Sequence, residues 1–322
     1  MKKNLLILII LLLPLVSCDD GVLCDRVQLH TETYYMTDGL ILNFQNAQNP
    51  EILSESIGLY MQYLIPVGDS ARFAEQVRVL REHFIVNEGG YSFIRWKLGE
   101  DITVSAVIDD LRIAEALTTA AVAFREPYYR QLAEEIIRTV KSTMIVDGTP
   151  RDFFDWQYGI AFSEFFLSYY NVPLMEYFNF PDSVFAPLES LTASPFFPER
   201  FVNGEFLLSD AAEVNMIDQS LIAIAYFERM GYAEPNFHAF LEERFREDGV
   251  IFARYCRDTA RNSNENQSSA VYAFLIRYFE ITGQAGFAEK ARGLLEGMDT
   301  GDAVSTHFFD FINREIVRVG CF

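Results

Sequence analysis

Asp109-Asp110-Leu111-Arg112-Ile113-Ala114-Glu115-Ala116-Leu117 opens a run that stays apolar or small on most faces as far as Phe124. Across Arg125-Glu126-Pro127 it is followed by Tyr128 to Met144, where Arg130, Glu134, Glu135, Arg138 and Lys141 mark one solvated face. A helix buried on most sides is thus paired with an amphipathic one. The same alternation recurs outward in both directions. Ile52 to Leu64 precedes Ser70 to Phe84, Tyr158 to Tyr170 precedes Pro173 to Phe180, Ala211 to Met230 precedes Asn236 to Arg246, and Gln267 to Thr282 precedes Gly286 to Met298. A weaker segment covers Pro181 to Leu191. Tyr91 to Trp96 and Val250 to Tyr255 alternate and are rich in aromatics, which predicts short strands between the hairpins. Buried first helices with amphipathic partners predict an all-α fold, an (α/α)6 toroid of helical hairpins with short β insertions. A solenoid would show a self-similar repeat of about 30 to 45 residues, and none is visible.

The composition narrows the function classes. The 322 residues are 50% hydrophobic and 15% aromatic, enough for a sizeable core. Lys and Arg number 26 against 46 Asp and Glu, so the net charge of -20 repels phosphate backbones and excludes nucleic acid as a partner. His30, His83, His238 and His307 lie far apart and the four cysteines show no CxxC spacing, so no metal site is expected. Phosphate-loop, dinucleotide, nucleophile-elbow and EF-hand patterns are absent, and no cofactor is implied.

Met1-Lys2-Lys3, the apolar run Leu5 to Leu13 and Pro14 to Cys18 have the layout of a secretory signal and are too short to span a bilayer. Leu15-Val16-Ser17-Cys18 resembles the lipobox of bacterial lipoproteins, which implies lipidation of Cys18 and a membrane held only through that lipid. The expected layout is a signal peptide over 1–17, a lipid anchor and polar leash over 18–33, and one helical domain over 34–322. The place is the cell envelope, facing the periplasm or the exterior, and the protein is expected to be a monomer. Cys24, Cys256 and Cys321 remain for at most one disulfide, whose pairing stays open.

Polar residues collect ahead of the buried helices. Ser54-Glu55-Ser56, Asp109-Asp110, Arg151 to Trp156, Asn215 to Gln219 and Asn264 to Ser268 all stand at helix N-termini, which a closed ring would gather on one rim. Each group alone reads as a cap that satisfies orphan N–H groups and the helix dipole. Together, with Trp96, Trp156 and Tyr255 close by in sequence, they suit a sugar polymer: rings stack on C–H faces and carboxylates hold hydroxyls or perform acid/base chemistry.

Leu53-Ser54-Glu55-Ser56-Ile57-Gly58-Leu59-Tyr60-Met61 resembles the Ser-Glu-Gly-x-x-Tyr-Gly-Met stretch of glycoside hydrolase family 8, in which the Glu is the general acid. Ser56 and Leu59 depart from it. Ala106 to Leu117 is similar to a second family stretch, with Ile108 where the family carries an Asp that contacts the sugar, so that role would fall to Asp109 or Asp110 or be lost. Phe153-Phe154-Asp155-Trp156 and Met216-Ile217-Asp218-Gln219 resemble a lipoprotein branch of the family associated with exopolysaccharide operons.

The resemblance implies a lipid-anchored, inverting endo-glycosidase that hydrolyses a bacterial exopolysaccharide. Glu55 would be the general acid and Asp218 the general base, two carboxyls about 6.5 to 9.5 Å apart. A helix N-terminus lowers a carboxyl pKa, so an acid at Glu55 would need Asp109 or Asp110 as a second negative charge nearby. Asp109, Asp110, Arg112, Asp155, Trp156, Trp96 and Tyr255 are the expected substrate contacts. Two alternatives stand beside this one: a polysaccharide-binding lipoprotein on a catalytically degenerate site, and a polysaccharide lyase on a similar toroid.

Overall fold

The computed structural model describes residues 21–45, 50–298 and 306–320. The signal segment 1–17, Cys18 and Cys321 lie outside them. In chain order the helices are α1 (Gly21–Tyr34), α2 (Ser54–Leu64), α3 (Ser70–Val79), α4 (Val107–Ala123), α5 (Pro127–Thr143), α6 (Val172–Tyr177), α7 (Ala186–Glu189), α8 (Met216–Met230), α9 (Pro235–Glu247), α10 (Ser269–Ile281), α11 (Ala285–Gly297) and α12 (Phe308–Arg318). The expected alternation is present. Along α2 every residue except Glu55 and Gln62 is buried, and α10 is buried from Ser269 through Ile276. Of α9, by contrast, only Phe237, Phe240, Leu241 and Phe245 are buried, and of α11 only Ala288, Ala291 and Leu295. Capping follows ordinary chemistry: Asp69, Asn171, Asn215, Glu234 and Ser268 each accept a backbone N–H at a helix start.

The described residues divide into two compact units, one drawn from 1–102, 112–136 and 303–322 and the other from 103–111 and 137–302. In the first, α1 occupies most of the segment expected to be a polar leash. Val27 and Thr31 are buried, Gln28 Nε2 donates to Asp69 at 2.8 Å, Arg72 pairs with Glu32 at 2.6 Å, and the His30 ring lies 4.8 Å from Phe311 of α12. A polar helix docks here through hydrogen bonds and rings in place of a broad apolar face. Phe308 and Phe311 stack on Tyr35, and Phe308 meets Tyr60 of α2 edge-on. Gly58 of α2 allows a close approach: a Cβ there would stand 3.1 Å from Ile113 Cγ1 and 3.2 Å from Arg112 Cδ.

In the second unit, residues 158–170 differ from the expected helix. Glu164–Phe166 is a strand that pairs antiparallel with Arg200–Val202, which pairs in turn with Glu205–Leu207. The turn between the last two is Asn203-Gly204, both at positive φ, the backbone that a tight hairpin requires. Glu164 and Arg200 pair at 2.9 Å across the sheet. A second sheet runs Val104–Ala106, Phe153–Asp155, Ile160–Ala161, and Val104–Ala106 leads straight into α4. The strand expected over 250–255 is shifted to Arg254–Cys256 and pairs with Glu213–Asn215.

Asp152 joins these sheets. It is fully buried; its N–H donates to Glu164 O at 3.0 Å, its carbonyl accepts Val107 N at 2.8 Å and its Oδ1 accepts Phe166 N at 2.7 Å. Burial pushes its carboxyl up to about 7. The folded value lies above the ordinary carboxyl value, so the folded protein keeps a proton that the unfolded chain gives up, and stability falls as pH rises from about 4 to about 7. Asp110, Asp218 and Glu315, also raised by burial, act in the same direction.

Two outcomes are expected. Asp152→Asn is more favourable relative to wild type at pH 8 than at pH 5 in thermal melts, because the variant has no proton to lose; an equal difference at both pH values would contradict this account. Gly58→Val overpacks the α2 surface at Arg112 and Ile113 and costs about 1 to 3 kcal/mol in denaturant unfolding.

Candidate active site

Glu55 sits in the first turn of α2, half-buried. Residues 96–98 run antiparallel beside 52–54 and set where that helix begins. Ser54 N and Ser54 Oγ both donate to Trp96 O, at 3.0 and 3.1 Å, and Leu98 N donates to Ile52 O at 2.9 Å. Trp96 is therefore held next to Glu55 through the backbone. Its ring is half-exposed, with Lys97 Nζ 4.5 Å from its centroid, and Lys97 also pairs with Glu51 at 2.8 Å. Residues three apart share a helix face. The stem of Arg112 lies against Gly58, one turn from Glu55, so the same surface of α2 carries the carboxyl and the aliphatic part of the arginine.

In the second unit, Asp109 and Asp110 stand in the first turn of α4 and both are buried. Asp110 is 2% exposed, and its Oδ1 has no hydrogen-bond partner among the described residues. Burial, with the charge of Asp109 added, holds the Asp110 carboxyl well above the usual range. Ile108 precedes them, half-buried. Asp155 Oδ1 accepts Thr103 Oγ1 at 3.1 Å, Gln157 N at 3.0 Å and Tyr158 N at 3.3 Å, so it fixes the turn that carries Trp156. Trp156 N donates to Thr103 O at 3.0 Å and its ring is half-buried. Tyr158, Ile160 and Phe162 continue this hairpin as an exposed apolar edge, Tyr158 being 69% exposed.

Asp218 lies in the first turn of α8, half-buried, and its Oδ1 accepts Ser168 Oγ at 2.9 Å. Burial raises its carboxyl, the Ser168 hydrogen bond opposes this, Glu199 adds to the rise and Arg254 opposes it. The N-cap of the helix is Asn215, whose Oδ1 accepts Ile217 N, so capping is not the job of Asp218. A carboxylate raised in this way holds a proton more tightly than an ordinary Asp, which suits it to acid/base chemistry.

Tyr255 corrects an expectation. It is 0% exposed, its hydroxyl accepts Phe252 N at 3.1 Å, and its ring packs edge-on to Phe240 at 5.0 Å. The strand register that pairs Val214 with Tyr255 turns the ring into the core, so it offers no face to a sugar. Sequence spacing does not single out Ser168 or Glu199, and it marks Asp152 only as one member of the polar group Arg151 to Trp156. Ser168 and Asp152 are distant from Asp218 in sequence, and Glu199 lies in a segment that carries no helical period. The Asn203-Gly204 dipeptide was the one local signal that could have placed this region in a hairpin. Among the described residues no group of His, Cys, Asp and Glu could hold a metal ion, and Cys256 is a free thiol.

No family model matches the chain. A crystal structure of PssZ from Listeria monocytogenes is 43% identical, covers 91% of this chain and 94% of its own, and superposes with a TM-score of 0.89. The putative lipoprotein YdaJ of Bacillus subtilis is 25% identical over 255 residues, 76% of this chain and 68% of its own length. An alpha-amylase from Clostridium perfringens (18% identical, TM-score 0.78, 92% of this chain and 97% of its own) and a cold-adapted family 8 xylanase (12%, TM-score 0.68, 94% and 91%) share the fold. So does endoglucanase Cel10, a family 8 glycosyl hydrolase from Klebsiella pneumoniae (13%, TM-score 0.64, 92% and 98%). The architecture is thus the (α/α)6 toroid of helical hairpins expected from the alternation of buried and amphipathic helices. The chain belongs to the family of PssZ, on the six-hairpin fold of glycoside hydrolase family 8.

Proposed function

We propose that the chain is a lipid-anchored, inverting endo-glycosidase that hydrolyses a bacterial exopolysaccharide, with Glu55 as general acid and Asp218 as general base. The observation that carries this reading is the environment of Asp218. It is a half-buried carboxylate, raised by burial and oriented by Ser168, on a fold shared with family 8 hydrolases. In the proposed reaction Asp218 takes a proton from water as the water oxygen bonds to the anomeric carbon. The bond from that carbon to the bridging oxygen breaks, and Glu55 delivers its proton to the leaving oxygen. Trp96 and Trp156 supply ring faces for the sugar. Asp109 and Asp110 stand for the carboxylate that the family places at the cleavage point, and Arg112 orients a carboxylate or an acidic sugar. The signal and lipobox pattern ending at Cys18, together with the name of YdaJ, supports membrane attachment in the cell envelope, facing the periplasm or the exterior.

One observation favours a second reading. Ile108 stands where the family carries an Asp, and Asp110 is buried and raised. A polymer-binding lipoprotein with no turnover would also fit such a site.

The test is chain length, new reducing ends and product anomer on polysaccharide from the source organism. Wild type shortens the polymer and releases the inverted anomer, read by NMR before mutarotation. Glu55→Gln and Asp218→Asn each lower kcat by about 10²- to 10⁴-fold, as loss of one acid/base group does. The base must be ionised, so kcat/KM rises with pH through the raised Asp218 value, above the range of an ordinary Asp. Binding without cleavage by wild type and both variants would favour the second reading.

A further inference from the structure

Glu199 connects to both segments that hold Asp218. It is 2% exposed. Its backbone carbonyl accepts Leu167 N at 2.8 Å, which fixes the residue before Ser168, the hydroxyl donor to Asp218. Its Oε1 accepts Gln219 Nε2 at 3.0 Å and Arg257 Nη2 at 2.5 Å, and its Oε2 accepts Ser209 N at 3.0 Å. Gln219 follows Asp218 in the first turn of α8 and is itself fully buried. Its amide also clamps the backbone of Phe197, accepting Phe197 N at 2.8 Å and donating to Phe197 O at 3.0 Å. Glu199 thus holds the strand-side segment that donates to Asp218 through its backbone carbonyl, and the helix turn that carries Asp218 through its carboxylate.

Among the described residues, two charged side chains act on Asp218. Glu199 raises its proton affinity and Arg254, paired across the strands with Asn215, lowers it. Arg254 stands 3.9 Å from Glu213, and Arg257 is committed to Glu199. A buried ion pair adds little net stability when both partners must be desolvated. The Glu199–Arg257 pair is therefore better explained by what it positions than by the stability it adds.

We propose that Glu199 is a positioning residue for Asp218, acting through Gln219 and the Leu167-Ser168 backbone and keeping a negative charge behind the base. This inference rests on the assignment of Asp218 as base. It adds that one residue distant in sequence contributes to both the orientation and the proton affinity of that carboxyl, beside burial and the Ser168 hydrogen bond.

The test reads Asp218 itself before it reads turnover. Carbon-detected NMR titration of the Asp218 carboxyl in the full chain, wild type against Glu199→Gln, should show the midpoint fall by about 0.5 to 1 pH unit, the scale of one nearby charge. The acidic limb of kcat/KM should move down by the same amount. Gln219→Asn, which shortens the clamp without changing charge, should lower kcat by about tenfold or more, with KM within about twofold and the acidic limb unmoved. Glu199→Asp should restore the titration midpoint. An unchanged Asp218 midpoint in a folded Glu199→Gln overturns the proposal. If that variant does not fold, unchanged kcat in Gln219→Asn overturns it. Asp218→Asn run beside them separates the two levels: full turnover in that variant refutes the base assignment, whereas its inactivity next to an unaffected Glu199→Gln refutes only the role of Glu199.

Discussion

Asp152 uses its N–H, its carbonyl and one carboxylate oxygen on three partners, and the second unit depends on that arrangement. The carbonyl receives Val107 N and so sets where α4 begins, which places Asp109 and Asp110. Its N–H and Oδ1 bind the two ends of the strand Glu164–Phe166, and that strand leads within two residues to Ser168 and its bond to Asp218. A buried side chain that accepts a backbone N–H can be replaced only by another group of the same reach, since loss of the acceptor leaves a buried donor unsatisfied. The two acidic segments of this unit are therefore not independently adjustable.

The parts legible in the sequence were those with a period. Helices such as α2 and α10 show apolar residues on nearly every face and read as buried, and their partners α3 and α11 carry charges at three- and four-residue spacing. Where spacing gave no period, reading failed for physical reasons. Residues 158–170 are dense in aromatics, which fit a buried helix or a short strand equally well. The partner strand that settles the matter, Arg200–Val202, lies 36 positions beyond Glu164. Residues 21–34 are polar and so resembled a linker, yet they dock by hydrogen bonds and ring contacts that leave little hydrophobic signature. Tyr255 was misplaced because strand register, which one residue of slip would invert, decides which face a ring takes.

The site residues divide along the same line. Glu55, Asp109, Asp110 and Asp218 were visible because acidic residues ahead of buried helices are conspicuous. Their environments were not, because each is built from segments remote in sequence. Burial of several carboxyls has a thermodynamic cost, and its direction is consistent: Asp110, Asp152 and Asp218 are all raised. Such groups occur in structural networks, as at Asp152, as well as where proton affinity serves a chemical task.

The docking of α1 has a spatial consequence. With Cys18 as the lipid attachment of the proposed function, only three Cα steps separate it from Gly21, a reach of at most about 11 Å. Beyond that the chain is already helical and bound to Asp69, Arg72 and Phe311. A protein tethered so closely cannot sweep a wide volume around its anchor. With such an anchor, the docked helix rather than a flexible leash would set how far from the membrane surface the protein reaches.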